Sequence, residues 1–441
     1  MNYENIVNKH TKVFVQTGFL GYNYRSRSTY DCITKSENNY KSEFLDLVSN
    51  SSIRDFQVSG SLDHYISDKS KIKIGGTWLN HRFLPAVKQS KSDVIDEEIF
   101  ISKDSTISGS ELFFYGEFNT KLSDKIYFYP GVNIANYITR TGKTYSYLQP
   151  RAKLLYQAAN KIQLSIGYTA TSQFSHLILN PGLGLPSDLW VPSAELISPQ
   201  TGNHFSIDGQ YSLMEGVTFN LSLFYRTMKN ILEYRQPIDL FTGIINGVDL
   251  IPIFNLQNDW ESELLAGVGR ASGIEVGLKK ETGKLKALIS YTYSRSILRF
   301  DDLNEGIDFP SKYDMPHHLN LQINYNLNKG YKLFLQWEFI SGRPFSLSTE
   351  EFDTFFGIRL LRASGRNNYR LPPFHQLSFN LSKSTHLFGI STDISVGAYN
   401  VYNRYNAFYI YAYRNDLLDF PQLRKVSIFP FIPQLNFNFS W

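Results

Sequence analysis

The acidic run Asp301, Asp302, Asn304, Glu305 and Asp308 offers oxygen donors of the kind calcium takes. An EF-hand, however, needs fixed alternate ligands and a late bidentate Glu, and this spacing lacks them. Solvated loop charge accounts for the run. His317 and His318 are adjacent; on a strand they point to opposite faces and cannot readily share one ion. No G-x-S-x-G elbow, H-E-x-x-H pair or P-loop occurs. Gly182-Leu183-Gly184 and Gly267-Val268-Gly269 lack the third glycine and the strand-to-helix setting of a phosphate cradle. The residues point away from an enzyme, and neither a metal nor a cofactor is expected. What remains are aromatic side chains in irregular stretches: Trp190, Trp260, Tyr313, Phe355 and Phe356. Such faces could stack on sugars or flat chelates, or seal loop against loop.

Whatever positions those side chains must be built from 441 residues with 33 Phe, 29 Tyr, 5 Trp and a net charge of +4. The near balance of charge gives no reason to expect a nucleic acid as partner. A single cysteine, Cys32, excludes a disulfide framework. Mean hydropathy is slightly polar at −0.26, and there is no run of about 18 apolar residues that would make a spanning helix. A chain so aromatic, without apolar runs, results when apolar and polar residues alternate.

They do alternate. Val217, Phe219, Leu221, Leu223 and Tyr225 take one parity against Thr218, Asn220, Ser222 and Arg226, and Leu319, Leu321, Ile323 and Tyr325 take one against Asn320, Gln322 and Asn324. Short polar turns such as Ser67-Asp68-Lys69-Ser70, Met214-Glu215-Gly216 and Asn328-Lys329-Gly330 separate paired runs. Long irregular stretches near Leu84–Gly109, Ser175–Gly202, Tyr234–Gly269 and Phe345–Tyr369 separate successive pairs. Counting from near Lys12 to Trp441 gives about sixteen strands, with tight turns at one end and long loops at the other. No linker divides residues 1–441, so they read as one domain.

A soluble β-sandwich also alternates. Runs of about 10–14 residues are long for a sandwich strand but suit a tilted span of a bilayer. Tyr22 and Tyr24, Tyr127 and Tyr129, and Tyr291 and Tyr293 sit near run ends, where an interfacial girdle would lie. The expected fold is all-β, a transmembrane antiparallel β-barrel, closed because an open edge in hydrocarbon leaves peptide groups unpaired. Sixteen strands could close by themselves or form the later part of a larger barrel.

Several segments resemble one family. They include Leu185-Pro186-Ser187-Asp188-Leu189-Trp190-Val191-Pro192, Ala271-Ser272-Gly273-Ile274-Glu275, Tyr313-Asp314-Met315-Pro316-His317-His318, Ser341-Gly342-Arg343-Pro344-Phe345 and Val401-Tyr402-Asn403-Arg404-Tyr405-Asn406. Their types and order are similar to the barrel region of TonB-dependent outer-membrane receptors, particularly of the Bacteroidetes type. The resemblance runs from about Gln149 to the end and more faintly before it. It implies a barrel of about 22 strands, plugged by an N-terminal domain that engages TonB. Met1–His10 does not read as an export signal, and no plug is recognisable. The chain is therefore expected to be the C-terminal part of such a receptor, without its plug. The implied function is energy-coupled nutrient uptake, with ligand bound by long extracellular loops. A passive porin-like channel or structural barrel is the other reading. Expected partners are outer-membrane lipid, the barrel assembly machinery, the missing plug and through it TonB, and a surface lipoprotein lid.

At the C-terminus, Phe437, Phe439 and Trp441 share the apolar parity of the last run. A terminal strand closing on an aromatic resembles the signal that the assembly machinery captures by strand addition. Deleting Phe439 to Trp441 is expected to block membrane insertion; a heat-modifiable, membrane-embedded barrel on gels after the deletion would refute that role.

Overall fold

The computed structural model describes residues 2–36, 39–92, 99–100, 106–178, 189–234, 261, 264–353, 359–363, 365–413 and 422–440. Within them one antiparallel sheet of nineteen strands dominates. Two of the nineteen, Ile99–Phe100 and Phe309–Pro310, are two-residue additions, which leaves seventeen long strands. In chain order these are β1 (Asn2–Asn8), β2 (Thr11–Ser36), β3 (Asn39–Ser67), β4 (Ser70–Ser92), β5 (Ile107–Lys121) and β6 (Ile126–Thr139). Next come β7 (Thr144–Ala159), β8 (Ile162–Gln173), β9 (Gln200–Met214), β10 (Val217–Tyr234), β11 (Leu264–Lys280) and β12 (Leu285–Arg299). The last are β13 (His317–Asn326), β14 (Tyr331–Ile340), β15 (Phe374–Leu387), β16 (Ile390–Tyr399) and β17 (Ile432–Ser440). No helix of the described residues is long and apolar enough to cross a membrane.

Each long strand pairs antiparallel with the next from β1 to β17, so sequence neighbours are spatial neighbours throughout. The strands from β2 onward agree in number with the expected sixteen or so, although Leu84–Ser92 and Leu264–Gly269, expected as irregular, are strand because they pair in register with their neighbours. β1 was not legible, because Tyr3, Ile6 and Val7 do not alternate cleanly; what makes Asn2–Asn8 a strand is its pairing to β2, Asn2 opposite Gln16. The first strand consequently runs toward the tight-turn end. Among the described residues, no pairing joins β1 to β17.

The two faces of the sheet differ as the alternation requires. On β8 to β12 one parity carries Ser165, Asp208, Gln210, Ser222, Glu275 and Thr292, which with Lys153 of β7 line one recess of about 380 Å³ shared by six strands. The polar face is thus the concave one. The opposite parity carries Ile166, Ile207 and Leu223, which stand side by side in register and are exposed. In a sandwich a second sheet would cover them. Here Phe19 keeps 74% and Leu148 66% of their surface open, an apolar belt with lipid as its natural cover. The eight steps from Leu285 to Tyr293 on β12 span about 27 Å at about 3.4 Å per residue, about 21 Å along the membrane normal at a tilt of about 40°, which accounts for most of the roughly 25 Å band of such barrels. Tyr211 and Tyr325 lie toward the lower edge of the belt, and Tyr225 and Tyr293 toward the upper.

Placing a charge in the middle of this belt tests the assignment. Ile207→Arg is expected to destabilise the folded protein by about 2–4 kcal/mol, measured by denaturant unfolding in lipid vesicles, whereas Gln210→Arg on the concave face is expected to be nearly neutral.

Candidate ligand vestibule at the outer rim

The lower turns are tight, as at Ser67–Ser70, Met214–Val217 and Leu387–Ile390. At the other end β8–β9, β10–β11, β12–β13, β14–β15 and β16–β17 are joined by long connections. Two outer connections are short: β2 meets β3 after Ser36, and β6 turns into β7 over Thr139–Thr144 with Gly142 at φ +92°.

The short β6–β7 turn is roofed by the β8–β9 connection. A small hairpin there, Ser175–Ile178 with Leu189–Pro192, lies against β10 on one side and β4 on the other. Its anchor is Phe174, stacked on Tyr137 at 5.2 Å and 10° and flanked by Phe113 and Tyr147. These rings share the face of Glu111 and Gln149, so the connection folds onto the concave wall. Tyr145 donates its hydroxyl to the Ala194 carbonyl at 2.8 Å, Lys143 Nζ donates to the Glu195 carbonyl at 2.8 Å, and the Thr141 hydroxyl donates to the Glu195 carboxylate. His176 is fully buried with Nε2 at 3.0 Å from Ser193 Oγ. Burial away from water pushes its pKa down to about 4, so the ring is neutral at pH 7.

A second clasp joins the β12–β13 and β14–β15 connections. Asp314, fully buried, accepts from the Ser296 N–H at 2.7 Å and pairs with Arg370 and, at 3.4 Å, with Arg295. Arg370 Nη1 also donates to the Gly342 carbonyl at 3.1 Å. A Cβ on Gly342 would fall on the Leu371 carbonyl oxygen, so only glycine lets the two segments meet. Arg343 Nη2 donates to the Phe408 carbonyl at 2.9 Å. Asn400 Nδ2 donates to the Arg404 carbonyl at 2.9 Å, and Asn406 Nδ2 donates to that of His375 at 3.0 Å. The segments 313–318, 341–345 and 401–406 singled out in the sequence therefore fasten strand ends at the rim, whereas Ala271–Glu275 lies within β11.

Below the rim the concave wall is a mosaic of matched polar groups. Asp208 accepts from Ser165 and Ser206, each at 3.2 Å, and from Ser222 at 2.6 Å. Arg151 pairs with Glu117. His81 sits between Asp55 at 2.8 Å and Glu111 at 3.0 Å. Such a wall suits a wet lumen.

The expected contact residues fall in separate places. Trp190 is on the inward-folded hairpin, opposite Leu177 and half-buried. Tyr313 is 56% exposed in the β12–β13 connection, its N–H donating to Ser311 Oγ at 3.1 Å. Trp260, Phe355 and Phe356 lie outside the described residues. Phe437 and Phe439 stand on the exposed apolar face of β17, while Trp441 lies outside the described residues. His317 meets the Tyr291 hydroxyl at 2.8 Å and His318 meets Glu338 at 2.9 Å, on opposite faces of β13. Asp308 of the acidic run pairs with Arg270 at 2.5 Å, and Asn304 Oδ1 accepts from the Arg366 N–H at 2.9 Å. Among the described residues no group of three His, Cys, Asp or Glu could hold a metal ion. Missed in the sequence were the Asp314 clasp and the Phe174 anchor. Asp314 had a signal, its place inside a segment already singled out; Phe174 had none.

Asp314→Asn keeps the shape and removes the charge that two arginines share. It is expected to cost about 1.5–3 kcal/mol, the worth of hydrogen bonds to a charged group, and to raise protease cleavage within 300–316 and 365–373 while the strands below stay protected.

A family model described as "TonB dependent receptor-like, beta-barrel" matches residues 3–413. No curated protein matches the sequence. Among solved structures, the ferric-catecholate import receptor Fiu from Escherichia coli K12 is similar at TM-score 0.62 and 12% identity, covering 99% of this chain and 63% of that one. FpvA of Pseudomonas aeruginosa, bound to a pyoverdine, is similar at TM-score 0.61 and 10% identity, covering 92% and 52%. The ferric preacinetobactin receptor BauA from Acinetobacter baumannii is similar at TM-score 0.59 and 13% identity, covering 99% and 61%. The chain thus spans less than two thirds of the length of these structures. With a polar concave wall, an exposed apolar belt and a match over nearly all its residues, the chain belongs to the TonB-dependent receptor-like β-barrel family and is an integral β-barrel protein of the outer membrane.

Proposed function

We propose that this chain is the C-terminal barrel portion of an outer-membrane receptor for TonB-dependent nutrient uptake. Its outer connections bind a scarce solute, and its lumen admits that solute when a plug is rearranged. The observation that carries the proposal is the pairing of a polar concave wall with outer connections folded inward over it, as the hairpin anchored by Phe174 is. Trp190 and Tyr313 are the described candidates for ligand contact, and Trp260, Phe355 and Phe356 are the further candidates from the sequence. The polypeptide performs no covalent chemistry. Phe437, Phe439 and Trp441 are read by the assembly machinery, TonB acts through the plug, and a surface lipoprotein closes over the loops.

Strand direction fits further strands that complete the wall. β1 and β17 both run toward the tight-turn end, so pairing them with each other would be parallel. All-antiparallel closure needs an odd number of further strands, and five would bring seventeen to the roughly 22 of outer-membrane transporters.

Conductance in planar bilayers tests the proposal against a passive channel. The purified chain is expected to give no steady ohmic pore, and a large constitutive current of fixed unit size from the chain by itself would overturn the receptor reading.

A further inference from the structure

Arg54 on β3 and Arg82 on β4 are directly opposite in register, and both are exposed. They share the outward face with Phe56 and Trp78, whose rings meet edge-on at 6.0 Å and are 43% and 41% exposed. Like charges directly opposite on a sheet repel. Ordinarily a neighbouring carboxylate would relieve this. Here the same face carries Asn23 and Phe19 on β2, Ser52 and Phe56 on β3, Trp78 and Asn80 on β4, and Ser108 and Ser110 on β5, with no acid among them. Asp55 and Glu111 belong to the opposite face, where they flank His81. Among the described residues neither arginine forms an ion pair.

The flanks of the pair suit a bound anion. Arg82 is opposite Ser108 on β5, a hydroxyl donor, and Arg54 is opposite Gly21 on β2, where an added Cβ would meet only the far edge of Phe19. Arg82 lies four residues beyond Trp78, about 13 Å along the strand and about 10 Å along the membrane normal at a tilt of about 40°. That is one step above the aromatic girdle, at the level of lipid headgroups. The anion abundant at that depth is phosphate, and two guanidinium forks side by side match its oxygens.

We propose that Arg54 and Arg82, with Ser108 beside them, bind the phosphate of a phosphorylated lipid headgroup in the outer leaflet. The site lies on the lipid-facing wall and is independent of the ligand vestibule. Its counter-charge comes from the membrane, so the repulsion of the pair is relieved on insertion.

Native mass spectrometry of the full chain with lipid A, with the same lipid dephosphorylated, and with inorganic phosphate as competitor tests this. The unaltered chain is expected to retain lipid A at least tenfold better than the R54Q/R82Q variant, and both are expected to retain the dephosphorylated lipid equally poorly. Equal retention of lipid A by the two proteins would overturn the site. Displacement of lipid A by millimolar inorganic phosphate would overturn the lipid as occupant, since it would mark a small-anion site. Heat-modifiable mobility on gels reports folding. Should the double variant fail to fold, R54Q and R82Q are scored singly by the same criterion, each expected to retain less lipid A, with undiminished retention by both overturning the proposal.

Discussion

Hydrocarbon offers no partner to a peptide N–H or C=O, and this one constraint organises the molecule. Every spanning residue must find its hydrogen bonds in a neighbouring strand. Sixteen consecutive antiparallel pairings satisfy it from β1 to β17, with register shifts confined to a few positions such as the bulge at Asn230, whose φ is +57° and whose side-chain amide is bonded to the Pro199 carbonyl. Once the backbone is satisfied sideways, side chains have only two directions left. A period of two follows, and with it an outer face for lipid and an inner face for water.

The two faces handle charge differently for the same dielectric reason. On the inner wall several ionised groups have a local answer: Asp208 holds three hydroxyls, Glu117 holds Arg151, and Asp63 holds Lys71 at 2.6 Å. Along the apolar belt of the outer face the exposed side chains are largely Ile, Leu, Val and Phe, and among the described residues charge stands beyond the aromatic residues, as at Arg25, Arg54, Arg82, Arg270 and Arg295. An unpaired ion is costly at the centre of the belt and tolerable at its margin, where water and headgroups solvate it.

At the outer rim the chain leaves the ladder, and its loose peptide groups need other partners. Some of the residues that gave the sequence its family likeness supply them. Asp314 takes the Ser296 N–H and two arginines, Asn400 and Asn406 cap carbonyls of neighbouring segments, and Gly342 allows backbone to touch backbone. Trp190 and Tyr313, picked out as aromatic residues of irregular stretches, belong to different connections.

The sequence by itself determined the all-β class, a count of about sixteen alternating strands, the turn end and the loop end, and the opposite facing of His317 and His318. Alternation is a local property, so adjacent residues suffice to reveal it. Only the tertiary structure decided that Asn2–Asn8 is a strand, since that rests on pairing with Thr11–Gln16 rather than on its own pattern. It likewise decided that Phe174 folds inward onto Tyr137, that Asp314 meets an arginine 56 positions away, and that Arg54 faces Arg82 across a strand pair. Each of these depends on register between distant segments. Register is fixed by the accumulated turns and bulges of the whole sheet, a quantity that no single stretch of sequence carries.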